Sequence, residues 1–314
     1  MAQGFNMGFR SQREWGWLLA IWIFLSGSGS GLFLLYVFYS LPLQFAMLSL
    51  GAVILGGAVL LLELGSPLRA WLSLSRLGTS WLSRGALSVV LFVICGVLSI
   101  ASASSVADFL WPDGGAIGKG LFGIAALSAL MITLYPGFFL ARNRSIPFWN
   151  TALFPVISFG FAIMGASGLA LLASVWLGEG MNAIASLAAI VIVLDFFLFG
   201  IHLISMWRAG GAARESVRLL TGGPLNWAFW GGVVLVGMLV PLVIVLGTRS
   251  AAALAGACIL IGAFFFRYCT LKAGVYVPAA VLPEGMDMSR LKRTSADLMR
   301  EYAGMATGNA NRRG

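Results

Sequence analysis

The chain has 314 residues, 60% hydrophobic and 10% charged, with mean hydropathy +0.94 and formal net charge +9. Soluble domains run at about 45–50% apolar and about 25% charged, so a soluble enzyme is excluded. Disorder is excluded too, because there is ample apolar surface to bury. What remains is a polytopic helical membrane protein.

Eight apolar runs reach spanning length, each transmembrane helix using roughly 20 residues. In chain order they cover 15–39, 43–64, 85–104, 118–140, 149–176, 181–207, 227–247 and 251–273. The runs are continuous rather than alternating, which excludes a strand barrel. The first is too long for a signal peptide and has no small-residue cleavage site. Trp15, Trp17, Trp149, Trp176, Trp207, Trp227 and Trp230 stand at run ends, as in the aromatic belts of membrane interfaces. The expectation is an all-α membrane domain over residues 1–281 and a polar, basic tail over 282–314. In the tail, Met288, Leu291, Leu298, Met299 and Tyr302 make one stripe of a short basic helix. It is suited to lie on the bilayer surface, or to dock a partner subunit.

Eight spans put both termini on one side. Seventeen of the 20 basic residues fall there: Arg10 and Arg13; Arg69, Arg76 and Arg84; Arg142 and Arg144; Arg208, Arg214 and Arg218; and seven in Lys272 and the tail. Lys119 and Arg249 fall on the other side, and Arg267 lies inside the last span. The excess of Lys and Arg places both termini in the cytoplasm. The charge is therefore a topology signal spread over short loops, and no nucleic-acid partner is implied.

Cys95, Cys258 and Cys269 lie in apolar runs, and none belongs to a CxxC or CxxCH. No ligand set for an iron–sulfur cluster or covalent haem is present in this chain. The sole histidine, His202, leaves a bis-His haem one ligand short.

Ionisable groups inside a membrane are costly, so each is a functional candidate. Glu14 begins the first span and Glu63 ends the second. Tyr135 lies late in the fourth. Asp195 and His202, seven residues apart in the sixth, share a helix face. Arg267 and Tyr268 lie late in the eighth. Glu14, Glu63, Tyr135, His202, Arg208 and Arg267 all fall toward the basic face, with Trp17 beside them. A quinone site needs an apolar slot, a donor to the carbonyl oxygens and a group that exchanges protons with water. Carboxylates and His suit that last role. Glu63 and His202 are the candidates for proton handling, with Glu14 and Tyr135 as donors or relays. Structural alternatives stand beside these. Glu14 equally suits a helix cap or a pair with Arg13, and Asp195 with Arg267 suits a buried interhelical ion pair.

The run Gly27-Ser28-Gly29-Ser30-Gly31 has no preceding strand and no following Lys or Thr, so it is no phosphate loop. Gly27 and Gly31 make a small-xxx-small face for close helix packing. Pro136, Pro155 and Pro241 are expected to kink their spans.

Several stretches together resemble the NrfD/PsrC group of polysulfide-reductase-type membrane subunits, with features of the dimethyl sulfoxide reductase anchors. They are Trp15-Gly16-Trp17 leading to Phe24-Leu25-Ser26-Gly27; Glu63-Leu64-Gly65-Ser66-Pro67-Leu68-Arg69-Ala70-Trp71; Ser80-Trp81-Leu82-Ser83-Arg84-Gly85; Phe148-Trp149-Asn150; and Arg267-Tyr268 with Lys272-Ala273-Gly274-Val275-Tyr276. Ser66 departs from the pattern, standing where the family usually carries Arg. The resemblance implies eight transmembrane helices in two four-helix bundles, without haem, in the inner membrane of a prokaryote. It implies an anchor that exchanges electrons and protons with a membrane quinone, menaquinone or ubiquinone. The partners it implies are a ferredoxin-like, multi-cluster iron–sulfur subunit and a molybdopterin catalytic subunit. Docking would fall on Arg69, Trp71, Arg76, Trp81 and Arg84, where charge complementarity favours encounter with an acidic partner. Two other functions fit an eight-span protein with internal charges: an ion or solute transporter, and a structural anchor without quinone chemistry.

Overall fold

The computed structural model describes residues 10–63, 78, 80–103, 115–177, 181–247 and 251–277. Arg69, Trp71, Arg76 and the stripe of the tail, 282–314, lie outside the described residues. Eight helices among those described are long and apolar enough to cross a membrane. They are α1 (Trp17–Tyr39), α2 (Leu43–Glu63), α3 (Trp81–Ala103), α4 (Ala116–Ala141), α5 (Leu153–Leu177) and α6 (Asn182–Ala209), then α8 (Ala228–Gly247) and α9 (Ala252–Lys272). A short helix, α7 (Gly211–Thr221), lies between α6 and α8. Near the two ends of the described residues, β1 (Arg10–Ser11) pairs antiparallel with β2 (Val275–Tyr276), Arg10 opposite Tyr276. The chain is an all-α, multi-pass integral membrane protein.

Local chemistry sets where the helices stop. Ser40, with φ 48°, ends α1 in a left-handed cap whose amide bonds back to the Tyr36 carbonyl, and Pro42 then separates α1 from α2. Between α6 and α7 the backbone turns on Gly210 (φ 73°) and Gly211 (φ 52°), a left-handed pair that side chains with a Cβ disfavour. The first twelve residues of α8, Ala228–Leu239, are wound as π-helix, and Pro241, which lacks an amide hydrogen, stands just past the change of winding.

Contacts among the helices fall into two groups. The first four spans touch in the order α1, α2, α3, α4 and back to α1; the last four touch in the order α5, α6, α8, α9 and back to α5. The groups meet where α1 touches α5 and α9, and where α4 touches α5. Lipid is as apolar as leucine, so close approach of small residues holds membrane helices together. The glycine–serine run of α1 supplies it on several sides. Gly27 and Gly31 face Ala162 and Ala166 of α5, as their spacing predicts, and Gly29 faces Ser49 and Ala52 of α2. Ser30 Oγ shares a 2.9 Å hydrogen bond with Thr133 Oγ1 of α4, and Ser49 Oγ donates to the Gly29 carbonyl at 2.7 Å. Gly237 of α8 and Gly262 of α9 bring their backbones together with no room for a Cβ on either.

Three expectations need correction. Residues 149–152 are not helical. The 142–152 segment folds as successive turns, pinned by Asn150 Nδ2 donating to the Ala141 carbonyl. Trp149 is not a belt residue: it is fully buried, its indole N–H donates to the Thr270 carbonyl at 2.8 Å, and it stacks on Trp15 at 5.1 Å. Pro155 falls in the first turn of α5, where a missing N–H breaks no helical bond.

Candidate functional site

A partly open cavity of about 140 Å³ lies among the first four spans. Trp15 leads into α1, and Leu19, Trp22 and Ile23 of α1 form one wall. Leu60 of α2, Leu82 of α3 and Tyr135, Pro136, Phe139 and Leu140 of α4 form the rest. Leu19 and Trp22, three residues apart on α1, point the same way, and Trp15, just before the helix, joins them at the cavity. Pro136 stands inside α4 beside the buried Tyr135. The lining is apolar except for one pair. Trp22 Nε1–H donates to the Tyr135 hydroxyl oxygen at 3.0 Å. Because the indole is a donor only, the phenolic O–H stays available for an acceptor in the cavity.

The remaining site candidates fall elsewhere. Glu14 is exposed and does not line the cavity; the N-cap of α1 is Gly16, without a side-chain cap bond. Trp17 is 59% exposed and points away. Glu63 is the last residue of α2, one turn beyond the cavity residue Leu60. Trp81 stacks on Phe138 of α4 at 4.9 Å, with the Arg84 guanidinium over its ring at 5.0 Å and Arg84 Nη2 donating to the Gly78 carbonyl at 2.7 Å.

His202 and Arg267 belong to the other group of helices. His202 is buried on α6 among Phe148, Phe154 and Phe199, and it hydrogen-bonds the Phe148 backbone. Its Nε2 is buried without a partner. Asp195 shares that helix face, as its spacing predicts, and its carboxylate rests on Gly160 of α5 with no room there for a Cβ. Asp195 Oδ2 also has no hydrogen-bond partner. Arg267 of α9 donates from Nη1 to Ser158 Oγ at 2.7 Å and from Nη2 to the Ser158 carbonyl at 2.8 Å. The ion pairs considered from sequence, Glu14 with Arg13 and Asp195 with Arg267, are not made; among the described residues the pair within 4.0 Å is Arg218–Glu215. Asp195 instead packs against backbone, and Ser158 takes the guanidinium.

Sequence reasoning missed Trp22 and Ser158. The helical spacing of Leu19 and Trp22 was the available signal for the first. No local pattern marks Ser158, which is defined by a residue 109 positions away.

The eight packed spans, with an apolar cavity and one phenolic donor among the first four, define a polytopic helical membrane protein. The family model described as "Polysulphide reductase, NrfD" matches residues 6–279. The protein belongs to this family, whose membership implies the membrane anchor of a redox complex. It is similar to "Protein NrfD" of Escherichia coli (strain K12), 27% identical over 305 residues covering 83% of this sequence and 94% of that protein. It is also similar to the C subunit of polysulfide reductase from Wolinella succinogenes, 27% identical over 261 residues covering 73% of this sequence and 82% of that one.

Proposed function

We propose that this protein is the quinone-reactive membrane subunit of a multi-subunit oxidoreductase, and that the cavity among the first four spans receives the quinone headgroup. The observation that carries the reading is the Tyr135 hydroxyl, buried at an apolar cavity with its own proton free to donate. About 140 Å³ is close to the roughly 150 Å³ at which an apolar protein cavity accepts benzene, and the Trp15, Trp22 and Phe139 rings offer flat apolar walls. A bound quinone would supply two-electron redox chemistry with proton uptake or release. Tyr135 would hold one carbonyl oxygen, Trp22 would fix the phenol, and the apolar lining would exclude water. Glu63 and Glu14, near this end of the spans, would exchange protons with solvent. Away from the cavity wall, Arg267 would act through its charge and His202 through the proton its unpartnered Nε2 can take up.

The electrons come from or go to a partner. A ferredoxin-like iron–sulfur subunit, itself joined to a molybdopterin catalytic subunit, would dock on the face that carries Trp81 and Arg84, with Arg69, Trp71 and Arg76. The excess of Lys and Arg on that face supports a cytoplasmic placement of both termini.

Quinol oxidation by the purified complex tests the reading. Tyr135→Phe should lower turnover about tenfold at one lost donor bond of about 1 kcal/mol or a little more, with subunit composition unchanged. Full turnover in that variant would remove Tyr135 from the quinone site, no quinol oxidation by the intact complex would leave the protein as a structural anchor, and transport activity without any redox partner would make it a transporter.

A further inference from the structure

The geometry points to a binding site for an anionic phospholipid at the seam of α6 and α8, with its phosphate on Arg208, Arg214 and Arg218 and an acyl chain in a groove below. Two observations carry it, and neither involves the quinone cavity.

The first is the placement of the arginines. At 100° per residue, Val193, Phe197, Ile201, Ile204 and Arg208 fall within one narrow stripe of α6. The four apolar side chains of that stripe are exposed, as lipid-facing residues are. Arg208 continues it into the last turn, so its guanidinium emerges at the headgroup layer rather than over protein. Next along the sequence, α7 buries Ala212, Ala213, Ser216, Val217 and Leu220 against its neighbours and turns Arg214 and Arg218 outward, one turn apart. The exposed indoles of Trp207, Trp227 and Trp230 mark the interface at this level, and Trp230 Nε1 donates to the Thr221 carbonyl at 3.1 Å, tying α7 to α8. Arg214 Nε caps α6 by donating to the Trp207 carbonyl at 3.0 Å, with the guanidinium 5.2 Å above the Trp207 ring. Arg218 faces Glu215 at 3.7 Å in a solvent-exposed pair, which competes weakly with a phosphate. Of the three arginines, Arg218 alone has a carboxylate within 4.0 Å among the described residues.

The second observation is the groove. About 220 Å³ in volume and wholly apolar, it runs between Val193, Phe196 and Phe197 of α6 and Met238, Leu239 and Leu242 of α8. Val193 and Phe197 belong to the Arg208 stripe. Phe197 stands eleven residues from Arg208, roughly 16 Å along the helix, which is about the thickness of one hydrocarbon leaflet. An acyl tail hanging from a phosphate at Arg208 therefore reaches the near end of the groove at Phe197. An acidic protein surface or a free phosphate would satisfy the arginines and leave the groove empty, whereas a phospholipid with a net negative headgroup fills both.

The test uses the full-length protein purified in uncharged detergent, offered equal phosphatidylglycerol and phosphatidylcholine, with retained lipid read by native mass spectrometry. Phosphatidylglycerol should be preferred by about tenfold or more, from charge contacts of roughly 1 kcal/mol per arginine. R208Q/R218Q, which leaves the Arg214 cap intact, should cut the ratio severalfold. Leu239→Trp, which fills the groove and keeps every arginine, should cut phosphatidylglycerol retention severalfold. Equal retention of the two lipids by the unmodified protein would overturn the proposal. So would an undiminished preference in R208Q/R218Q, displacement of the lipid by millimolar inorganic phosphate, or cross-linking of this face to a protein subunit in the assembled complex with no phosphatidylglycerol present.

Discussion

Trp22 and Tyr135 stand 113 residues apart and meet through a single 3.0 Å hydrogen bond, indole N–H to phenolic oxygen, joining α1 to α4 at the wall of the cavity. The direction of the bond matters. A tyrosine that accepts from its neighbour keeps its proton for a ligand, and its ring cannot swing without losing that bond. Trp22→Phe keeps the packing and removes the donor. The loss should raise KM for quinol severalfold, corresponding to about 1 kcal/mol, with kcat reduced less than in Tyr135→Phe. Equal effects on both parameters in both variants would show that Trp22 does not position the phenol.

Asp195 carries an oxygen buried away from water without a donor. A buried polar atom in that state costs stability, on the order of 1–3 kcal/mol. Asp195→Asn should therefore leave the thermal midpoint of the detergent-solubilised protein unchanged or raise it. A fall of several degrees would mean that the carboxylate is paired in the membrane.

Glycine substitutions separate helix contacts from open helix faces. Gly160→Ala drives a methyl into the Asp195 carboxylate, and Gly262→Ala drives one into the Gly237 backbone. Gly262→Ala should abolish the monodisperse peak in size-exclusion chromatography, or lower the midpoint by an amount matching about 3 kcal/mol or more, because backbone cannot yield as a side chain can; Gly160→Ala should cost less, about 1–3 kcal/mol, because the Asp195 side chain can turn aside. Gly231, where an added methyl would meet nothing within 4 Å, should accept Ala with no loss.

Trp149 and Trp176 test the distinction between core and belt. Trp149→Phe deletes the bond to the Thr270 carbonyl and half of the stack with Trp15, and should destabilise the protein by about 2 kcal/mol. Trp176, 87% exposed at the end of α5, should tolerate Phe without a measurable shift in thermal unfolding.

Depth along each helix was legible in the sequence, and direction around each helix was not. Hydropathy located eight spans, and the Gly27–Gly31 spacing located a packing face, because both are properties of one segment. Most spans are apolar all round, so no polar stripe marks the inward face. His202 and Tyr135 stand toward the same end of their helices, yet Tyr135 lines the cavity and His202 sits in a cage of phenylalanines. Trp149 read as an interface residue because it opens an apolar run, while its burial depends on Trp15 and Thr270, far away in the sequence. The α7 helix read as a basic loop because its five buried residues are small or interrupted by charge. Where a residue's partner lies a hundred positions away, as for Arg267 and Ser158, only the fold makes the pair visible.

The two-residue ribbon of β1 and β2 has a consequence for the order in which this protein is made. Ser11 leaves the ribosome early and pairs with Val275, at the far end of the membrane region, and Gln12 donates its amide to the Gly274 carbonyl at 2.8 Å. Between those events every span must be synthesised and inserted. At typical elongation rates of about 5–20 residues per second, the gap is on the order of tens of seconds. Until α5 is made, the Gly27–Gly31 face of α1 has no protein neighbour, and the side of α1 that meets α9 has none until the end. The strand β1, made before every span, is thus paired after all of them, and a nascent polypeptide halted before α9 presents α1 to the insertion machinery with its α9 side uncovered.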